Sequence, residues 1–424
     1  MQKVVSKNIK ALKGTITIPS DKSISHRAVI FSSLAKGKSV IKNFSNGQDP
    51  LSSLEICKML GIEAEFTEDK LVINSDGKLV KKHDIFDCGN SGTTMRLMAG
   101  ILARQNFSSI LTGDTSLSAR PMKRIIEPLT LMGAKIASND FKAPLKITGN
   151  ELHAINYTSK IASAQVKSCI LLAGLGVENE VTSITEPYIS RNHTEIMLKN
   201  MGADINTDGS TVSIKKSNLI PIDITIPGDI SSAAYFITAA LIMPNSKIII
   251  KNIGLNPTRT GILDIVKEMG GNIKILNKYE TAGEPAGDIS VEFSELKACK
   301  ISGEMIPKLI DEIPIIAVLA TQADGDTIIS GAQDLRNKES DRITTVVNGL
   351  KSIGANIEET TDGMIIHGKT ELSGGCEIET CHDHRLAMSF FVAGLICKKE
   401  ITLNGFEWVN ISFPNFEELF LRLF

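Results

Sequence analysis

A six-residue segment occurs twice in this chain, and the repetition limits the folds that the sequence can adopt. Ile16–Asp21 reads ITIPSD and Ile224–Asp229 reads ITIPGD, about half of the 424-residue chain apart. In each copy a strand-like alternation runs into proline and then into an aspartate that can cap a following helix. A strand, turn and helix repeated at this spacing indicates a duplicated chain with two related halves.

A shorter period divides each half. A glycine that ends an apolar helical segment recurs at intervals of roughly 70 residues, as expected for stacked supersecondary units. These glycines are Gly61, Gly133, Gly202, Gly270 and Gly354. A second set of helices is predicted to start at Ser20, Gly89, Ala162, Asp229, Asp311 and His382. The sequence therefore predicts six units of strand, helix, paired strands and helix. The sixth lacks its glycine, and the N-terminal strands between Val4 and Ile18 are expected to complete it.

The six units are expected to form an α/β (α+β) protein of two lobes with three units each. One lobe comprises residues 1–18 and 228–424, and the other comprises residues 19–227. A single solenoid of six units is the alternative, but the chain length favours two to three domains and the repeated ITIP favours two. Linkers near Pro19 and Pro227 would form a hinge, which predicts closure of the lobes on a ligand in the cleft between them.

Composition excludes several classes of partner. The net charge of −2 and the pI near 6.4 argue against a nucleic-acid or anionic membrane surface. No apolar run reaches the roughly 18 residues that cross a bilayer, and Met1–Lys7 lacks the apolar core of a secretory signal. Seven cysteines without a CxxC pair are typical of a reducing cytoplasm. We therefore expect a cytoplasmic protein that binds neither nucleic acid nor membrane.

The starts of the predicted helices differ in chemistry, and this indicates where function lies. A helix N-terminus attracts anions through its unpaired N–H groups and its dipole. Lys22, Arg27, Arg96 and Arg385 stand near such starts. A cation in the first turn opposes the dipole, so we expect a compensating anion there. Asp229, Ser231 and Ser232, by contrast, are interpreted as ordinary helix caps.

Further charged clusters occur outside those helix starts. Arg120 precedes Pro121 at a predicted helix start, where it would face an anion. Asp334–Arg342 is dense in charge, and on a helix Lys338 and Arg342 would share a face, with a solvated turn as the alternative. The segment Cys381–His384 suggests a metal site, but adjacent residues on a turn rarely converge on one ion. No metal is therefore predicted.

Four motifs together resemble the 5-enolpyruvylshikimate-3-phosphate synthase family. They are Asp21–Arg27 (DKSISHR), Gly89–Arg96 (GNSGTTMR), Lys338–Arg342 (KESDR) and Asp383–Arg385 (DHR). The resemblance extends over the whole chain and includes the six-unit pattern. It implies two lobes, each an inside-out α/β barrel of three βαβαββ units, that close on the substrates.

The resemblance also implies a reaction. The enolpyruvyl group of phosphoenolpyruvate is transferred to the 5-hydroxyl of shikimate 3-phosphate, with release of phosphate, on the pathway to chorismate and the aromatic amino acids. Addition and elimination proceed through a tetrahedral intermediate without a cofactor or metal, and the enzyme is expected to be a monomer. Both substrates carry a phosphate and a carboxylate, so the site must neutralise several negative charges away from water.

Roles follow from the resemblance, residue by residue. Asp311 would take the proton of the 5-hydroxyl, while Glu339 and Lys22 remain alternatives for proton transfer at the methylene carbon. Shikimate 3-phosphate would be bound by Lys22, Ser23, Arg27, Ser163, Gln165, Arg191, Asp311 and Lys338. Phosphoenolpyruvate would be bound by Lys22, Gly92, Arg120, Gln165, Arg342 and Arg385.

Some positions depart from the commoner family pattern. Ala164 replaces a serine, which removes one hydroxyl for the phosphate, and Ile411 stands where a lysine contacts phosphoenolpyruvate in many members. Thr185–Glu195 resembles the second subdivision of the family, in which Arg191 assists substrate binding. Glyphosate-tolerant members of that subdivision often have alanine at the position of Gly92. The glycine here predicts inhibition by glyphosate in competition with phosphoenolpyruvate.

Two rival functions differ in their sequence requirements. The sister enzyme that transfers the same group to UDP-N-acetylglucosamine has Lys-Asn where this chain has Lys22-Ser23. It also carries a reactive cysteine in a segment that here, at residues 113–119, has none. A non-catalytic clamp on DNA would require a basic balance and similar cations on the repeated helices. The dissimilar helix starts argue against it.

Overall fold

The computed structural model describes residues 1–6 and 10–424, which form two compact units. The unit that holds both chain ends, here the terminal unit, comprises Met1–Pro19, Gly228–Tyr279 and Pro285–Phe424. The other, here the inserted unit, comprises Ser20–Pro227 and the short segment Glu280–Glu284. Each unit has its own core of buried apolar side chains.

The terminal unit begins with strands β1 (Gln2–Val5) and β2 (Lys13–Thr17), after which the chain enters the inserted unit. The strands described in the inserted unit are β3 (Lys36–Lys42), β4 (Glu63–Thr67), β5 (Lys70–Asp76), β6 (Ile85–Asp87), β7 (Ser108–Thr112), β8 (Lys135–Asn139), β9 (Lys142–Thr148), β10 (Asn156–Thr158), β11 (Val181–Thr185), β12 (Ile205–Asp208), β13 (Thr211–Lys215) and β14 (Asp223–Thr225). Its helices are α1 (Lys22–Ser32), α2 (Gln48–Met59), α3 (Gly92–Ala103), α4 (Thr115–Ala119), α5 (Lys123–Leu131), α6 (Ala164–Gly174) and α7 (His193–Asn200).

Three mixed sheets of one design form the inserted unit. Their strand orders are β14-β3-β5-β4, β6-β7-β9-β8 and β10-β11-β13-β12. In each sheet the first pair is parallel and the next two are antiparallel. Because β14 ends the unit but pairs with β3 near its beginning, the chain returns to its point of entry.

The terminal unit resumes after β14. Its strands are β15 (Lys247–Gly254), β16 (Asn272–Thr281), β17 (Glu284–Glu292), β18 (Leu296–Lys297), β19 (Lys300–Ile301), β20 (Ala323–Ile329), β21 (Asn356–Thr360), β22 (Gly363–Gly368), β23 (Glu377–Glu379) and β24 (Ile401–Asn404). The helices are α8 (Ile230–Ile242), α9 (Gly261–Glu268), α10 (Met305–Leu309), α11 (Ile313–Ala320), α12 (Arg342–Ser352), α13 (His384–Gly394) and α14 (Phe416–Leu421), with 3₁₀ turns at Gln333–Asn337 and Phe406–Ile411.

The sheets of the terminal unit repeat the same design and correct one expectation. Their orders are β2-β15-β17-β16, β18-β20-β22-β21 and β23-β24-β1. In the second sheet β19 also pairs with β20, and the third sheet has three strands among the described residues. Of the N-terminal strands that the structure describes, β1 alone joins the sixth unit, as the antiparallel neighbour of β24. The next strand, β2, is instead parallel to β15 in the fourth sheet, as β14 is to β3 in the first. The two ITIP copies therefore give equivalent edge strands, which explains why the segment is duplicated.

The central helices of each unit are almost completely buried. The helices α1, α3 and α6 of the inserted unit, and α8, α11 and α13 of the terminal unit, bury nearly every side chain. The mixed α/β architecture is therefore the inside-out arrangement that the sequence predicts, with helices inside and sheets outside. Among the residues that the structure describes, no helix has the length and apolarity needed to cross a membrane.

Candidate functional site

Polar caps begin the three buried helices of the inserted unit. The Asp21 carboxylate accepts from Ile24 N at 2.8 Å, and the Ser91 hydroxyl accepts from Thr94 N at 3.1 Å. Ser163 caps α6 in the same way and donates its own backbone N–H to Glu186 at 2.7 Å. These caps satisfy part of the N–H groups that a helix start leaves unpaired.

Arg27 is buried, with 2% of its surface exposed, and its described hydrogen bonds go to neutral oxygens. Its guanidinium donates to Thr194 Oγ1 at 2.7 Å, to Ser168 Oγ at 3.0 Å and to the carbonyl of Ser23 at 3.0 Å. The pKa of Arg27 is lowered to about 10, chiefly by burial and in smaller part by Arg191, against the opposing effect of nearby carboxylates. Arg27 and Arg191 therefore lie within electrostatic range of each other.

Two further arginines of the inserted unit hold side chains in place around Gly92. Arg96 donates to the Gln165 carbonyl oxygen, and the Gln165 amide donates to Thr93 Oγ1 at 2.9 Å. Arg120 donates to Asn90 Oδ1 at 2.8 Å. A Cβ added at Gly92 would come within 2.8 Å of Arg96 Nη1 and 3.5 Å of Arg120 Nη1. The backbone at Gly92 thus faces both guanidinium groups.

The predicted cations at the helix starts have partners within the protein. Lys22 Nζ lies 3.0 Å from Asp49 Oδ2, and no sequence motif contains Asp49. Arg385 Nη2 similarly lies 3.9 Å from Asp311 Oδ2. Nearby carboxylates of the protein therefore supply part of the compensating negative charge that we expect at these helix starts.

Asp311 is the centre of the cluster in the terminal unit. Its carboxylate lies 3.5 Å from Lys338 Nζ and 3.4 Å from Arg342 Nη1, in addition to its contact with Arg385. The residue occupies a short turn between α10 and α11, and 13% of its side chain is exposed. A carboxylate among three cations, with part of its surface accessible, can accept a proton from a bound hydroxyl.

Arg342 is anchored by two other carboxylates. It donates to Asp383 through Nε at 2.8 Å and Nη2 at 3.1 Å, and Nη2 also donates to Glu339 at 2.7 Å. Burial opposes the charged guanidinium, but Asp383 and Glu339 outweigh it and raise the pKa of Arg342 above its ordinary value. The same pairing holds the pKa of the Asp383 carboxyl below its usual range, against the effect of burial.

Lys338 contacts this cluster from an extended segment and not from the helix that the sequence predicts. The spacing argument placed Lys338 and Arg342 on one helical face, but α12 begins only at Arg342 and Lys338 is extended. The alternative of a solvated turn is also wrong for Arg342, which is 1% exposed. Arg120 likewise follows α4, three residues before α5 begins at Lys123, so it does not open a helix directly.

The predicted residues fall into one set in each unit. The inserted unit holds Lys22, Ser23, Arg27, Gly92, Arg120, Ser163, Gln165 and Arg191, and the terminal unit holds Asp311, Lys338, Glu339, Arg342 and Arg385. Sequence reasoning missed the charged partners Asp49 and Arg259, and it treated Asp383 only as part of a motif. Arg259 forms an ion pair with Asp229, which the sequence analysis interpreted as an ordinary helix cap.

Comparison with known proteins identifies the class. Residues 6–420 match the model of the EPSP synthase (3-phosphoshikimate 1-carboxyvinyltransferase) family. The chain belongs to this family. A 3-phosphoshikimate 1-carboxyvinyltransferase of Thermodesulfovibrio yellowstonii is 52% identical and one of Bacillus licheniformis is 49% identical, over 98% and 97% of both chains respectively.

Solved structures agree with this assignment. An EPSP synthase from Acinetobacter baumannii superposes with a TM-score of 0.89 at 42% identity, covering 100% of this chain and 98% of that one. The enolpyruvyl transferase NikO from Streptomyces tendae has a TM-score of 0.80 over 100% of this chain and 97% of its own, at 16% identity. The likeness to NikO shows a shared fold.

Proposed function

We propose that this chain transfers the enolpyruvyl group of phosphoenolpyruvate to the 5-hydroxyl of shikimate 3-phosphate and releases phosphate. Membership of the EPSP synthase family and the names of its close relatives support this reaction. The observation that carries the proposal within the site is the Asp311 carboxylate, which faces Lys338, Arg342 and Arg385. The cations can hold anionic substrates while the carboxylate accepts the proton of the attacking hydroxyl.

The residue types suit an addition and elimination sequence. The 5-hydroxyl oxygen bonds to C2 of phosphoenolpyruvate as Asp311 takes its proton, and the methylene carbon gains a proton. Loss of phosphate and of a proton from the resulting methyl group then restores the double bond. Glu339 and Lys22 are our candidates for the proton exchange at that carbon. The hydrogen bond that Arg342 donates to Glu339 favours the carboxylate form of Glu339, which suits proton removal better than donation.

Substrate binding divides between the two sets of residues. We assign the phosphate of shikimate 3-phosphate to the inserted-unit set Lys22, Ser23, Arg27, Ser163, Gln165 and Arg191, and its reacting side to Asp311 and Lys338. We assign phosphoenolpyruvate to Lys22, Gly92, Arg120, Gln165, Arg342 and Arg385. This division requires both units to act on one substrate pair, so shikimate 3-phosphate should make the protein more compact in small-angle X-ray scattering. Unchanged scattering would contradict that requirement.

We also propose that the enzyme acts as a monomer in the cytoplasm. UDP-N-acetylglucosamine is the alternative acceptor, but the curated relatives named above carry the shikimate activity.

The reaction is tested by phosphate release from phosphoenolpyruvate with either acceptor, repeated for Asp311→Ala. We expect release only with shikimate 3-phosphate and a loss of about 10²- to 10⁴-fold in kcat for the variant, the usual contribution of a general base. Release with UDP-N-acetylglucosamine would transfer the chain to the sister activity. An active Asp311→Ala variant would leave the reaction intact and remove Asp311 from its assigned role.

A further inference from the structure

A buried group of charged and polar side chains lies behind Asp311 in the terminal unit. Here the Arg259 cluster denotes Asp229, Ser231, Arg259 and Glu312. Arg259 Nη2 donates to Asp229 Oδ1 at 3.0 Å and to Ser231 Oγ at 2.9 Å, and its Nη1 lies 3.7 Å from Glu312 Oε1. The Ser231 hydroxyl donates to Glu312 Oε1. The cluster thus joins three separate chain segments.

The burial of this cluster is unusual for groups without an assigned role. Glu312 is 1% exposed and Arg259 is 2% exposed. Removal of charged groups from water is costly, and replacement of a buried ion pair by apolar side chains often leaves a protein equally stable. Such a cluster is therefore weak evidence for a role in stability, whereas its directional bonds fix the geometry of the segments that they join.

Glu312 occupies the position next to Asp311. The two residues lie in the turn between α10 and α11, and Glu312 N donates to Leu309 O at 2.8 Å. The hydrogen bond from Ser231 and the ion pair with Arg259 hold the Glu312 side chain, and with it the same turn. A displacement at Glu312 would be transmitted directly to Asp311 because only one peptide unit separates their Cα atoms.

A second contact ties Arg259 to this turn. Gly261 opens α9 two residues after Arg259, and a Cβ there would lie 3.0 Å from the Cβ atoms of both Leu309 and Lys308. The start of α9 and the end of α10 therefore approach closely. The loop before α9 is itself held by Asn256, whose side chain accepts from Thr258 N at 2.9 Å. Arg259 thus extends from a well-fixed loop.

The cluster also acts on Arg385 through its charge. Burial opposes the charged form of Arg385, while Asp311, Tyr235, Glu312 and Asp229 in turn raise the pKa of its guanidinium. Two members of the Arg259 cluster therefore stabilise a cation that faces Asp311.

We propose that Arg259 and Glu312 are positioning residues, which hold the Asp311 carboxylate in the geometry that the transfer reaction requires. The proposal rests on the proposed function. It predicts that disruption of the cluster slows the chemical step more than it weakens substrate binding, because a misplacement of about 1 Å can lower a rate about 100-fold.

The test measures kcat and both KM values for Glu312→Gln, which removes the charge and keeps the shape. We expect kcat to fall by about 10- to 100-fold, with KM values changed by less than about threefold. Asp288→Asn is the matched control. Asp288 is another buried carboxylate of the terminal unit, and its described partners are Lys251, Asn252 and Asn277. The control should lower the Tm without lowering kcat in folded protein.

Arg259→Lys keeps the proposal testable if Glu312→Gln fails to fold. Lysine retains the charge but cannot form the paired contacts of Nη2, so kcat should again fall, by less than in Arg259→Gln. A kcat within about twofold of the wild type in folded Glu312→Gln or Arg259→Lys would overturn the proposal. A rise in both KM values at constant kcat would overturn it too. Absence of phosphate release in the wild type would instead reject the proposed function.

Discussion

Arg27 in the inserted unit and Arg342 in the terminal unit are both buried, yet their surroundings differ. The described hydrogen bonds of Arg27 go to two hydroxyls and a carbonyl. Arg342 is bonded to Asp383 and Glu339. Burial lowers the pKa of Arg27 to about 10, whereas the carboxylates raise the pKa of Arg342 despite its burial.

The difference shows two ways of holding an anion-binding arginine. Arg27 retains charge that an incoming phosphate can neutralise, so ligand binding there gains the most from a new ion pair. Arg342 is already neutralised, and its carboxylates fix its orientation and hold it beside Asp311. We infer that the inserted unit mainly supplies affinity for substrate anions, while the terminal unit supplies an ordered charge arrangement for proton transfer.

The largest effect is expected when Arg342 is replaced by glutamine. Asp383, whose surface is fully buried, would lose its bidentate partner, and an unpaired buried charge costs about 3–5 kcal/mol. Arg342→Gln should therefore lower the Tm strongly as well as abolish activity. Thermal unfolding followed by circular dichroism measures the change.

A double substitution shows how much of the fall in Tm comes from the unpaired charge and how much from lost packing. Arg342→Met combined with Asp383→Leu removes both charges, and it should recover much of the Tm while remaining inactive. If Arg342→Gln melted like the wild type, the contrast with Arg27 would be refuted, because Asp383 would then not depend on Arg342.

Replacement of Arg27 by glutamine should weaken substrate binding strongly and change stability little. Its described acceptors are neutral and can bond to the amide or to water, so stability should change by less than about 1 kcal/mol. Binding of shikimate 3-phosphate should weaken by about 1.5–3 kcal/mol, the range for a hydrogen bond to a charged group. That loss is about 10- to 150-fold in Kd by calorimetry.

Arg104 supplies the matched control for Arg27. It is a partly buried arginine at the C-terminal end of α3, and burial of its guanidinium lowers its pKa also to about 10. The polar start of α3 lies about 18 Å away at the rise of an α-helix. Arg104→Gln should leave the Kd for shikimate 3-phosphate unchanged. Equal losses in both variants would mean that Arg27 acts only through general packing.

Acid should weaken the inserted unit through His26. Its ring is fully buried beside Ser53 Oγ at 2.8 Å, and burial lowers the pKa of His26 to about 3, with Lys22 and Arg27 acting in the same direction and Asp49 against it. The unfolded chain binds the proton near pH 6.5 and the folded chain does not. Stability therefore falls as the pH drops from about 6.5 towards 3, by about 2 kcal/mol at pH 5.

The measurement is the change in Tm between pH 7 and pH 5 for the wild type and for His26→Asn. The variant cannot titrate at this position, so its Tm should depend less on pH over that interval. Identical pH dependence in the two proteins would mean that His26 is protonated in the folded state or does not control this transition.

The repeat carried most of what the sequence predicted about the fold. Helix-ending glycines mark local backbone requirements, and their regular spacing predicts six similar units, which the six sheets reproduce. The sequence does not predict that β1 and β2 join different sheets, since both have the pattern of short strands. Their different partners depend on long-range pairing, for which local periodicity carries no information.

The partners of the site residues were harder to predict than the residues themselves. Lys22, Arg342 and Arg385 stand in motifs, but Asp49 lies in an unremarkable helix start and Arg259 in a loop with no motif of its own. Their roles arise when the fold brings Asp49 to Lys22 and Arg259 to Glu312. Identifying such pairs from sequence would require the contacts between segments that are distant in the chain.

The smallest effect is expected for Gly92→Ala, which adds one methyl group in front of two arginines of the inserted unit. An alanine Cβ would meet Arg96 Nη1 at 2.8 Å, but that atom ends a flexible side chain, so Gly92→Ala should fold. The methyl would occupy space in front of Arg96 and Arg120, where glyphosate, longer than phosphoenolpyruvate, has less room. The inhibition constant for glyphosate should rise about tenfold, or about 1.4 kcal/mol, and more than the KM for phosphoenolpyruvate. Equal inhibition constants for the wild type and Gly92→Ala would mean that glyphosate binds away from these arginines. If inhibition were still competitive, the phosphoenolpyruvate site would also lie elsewhere.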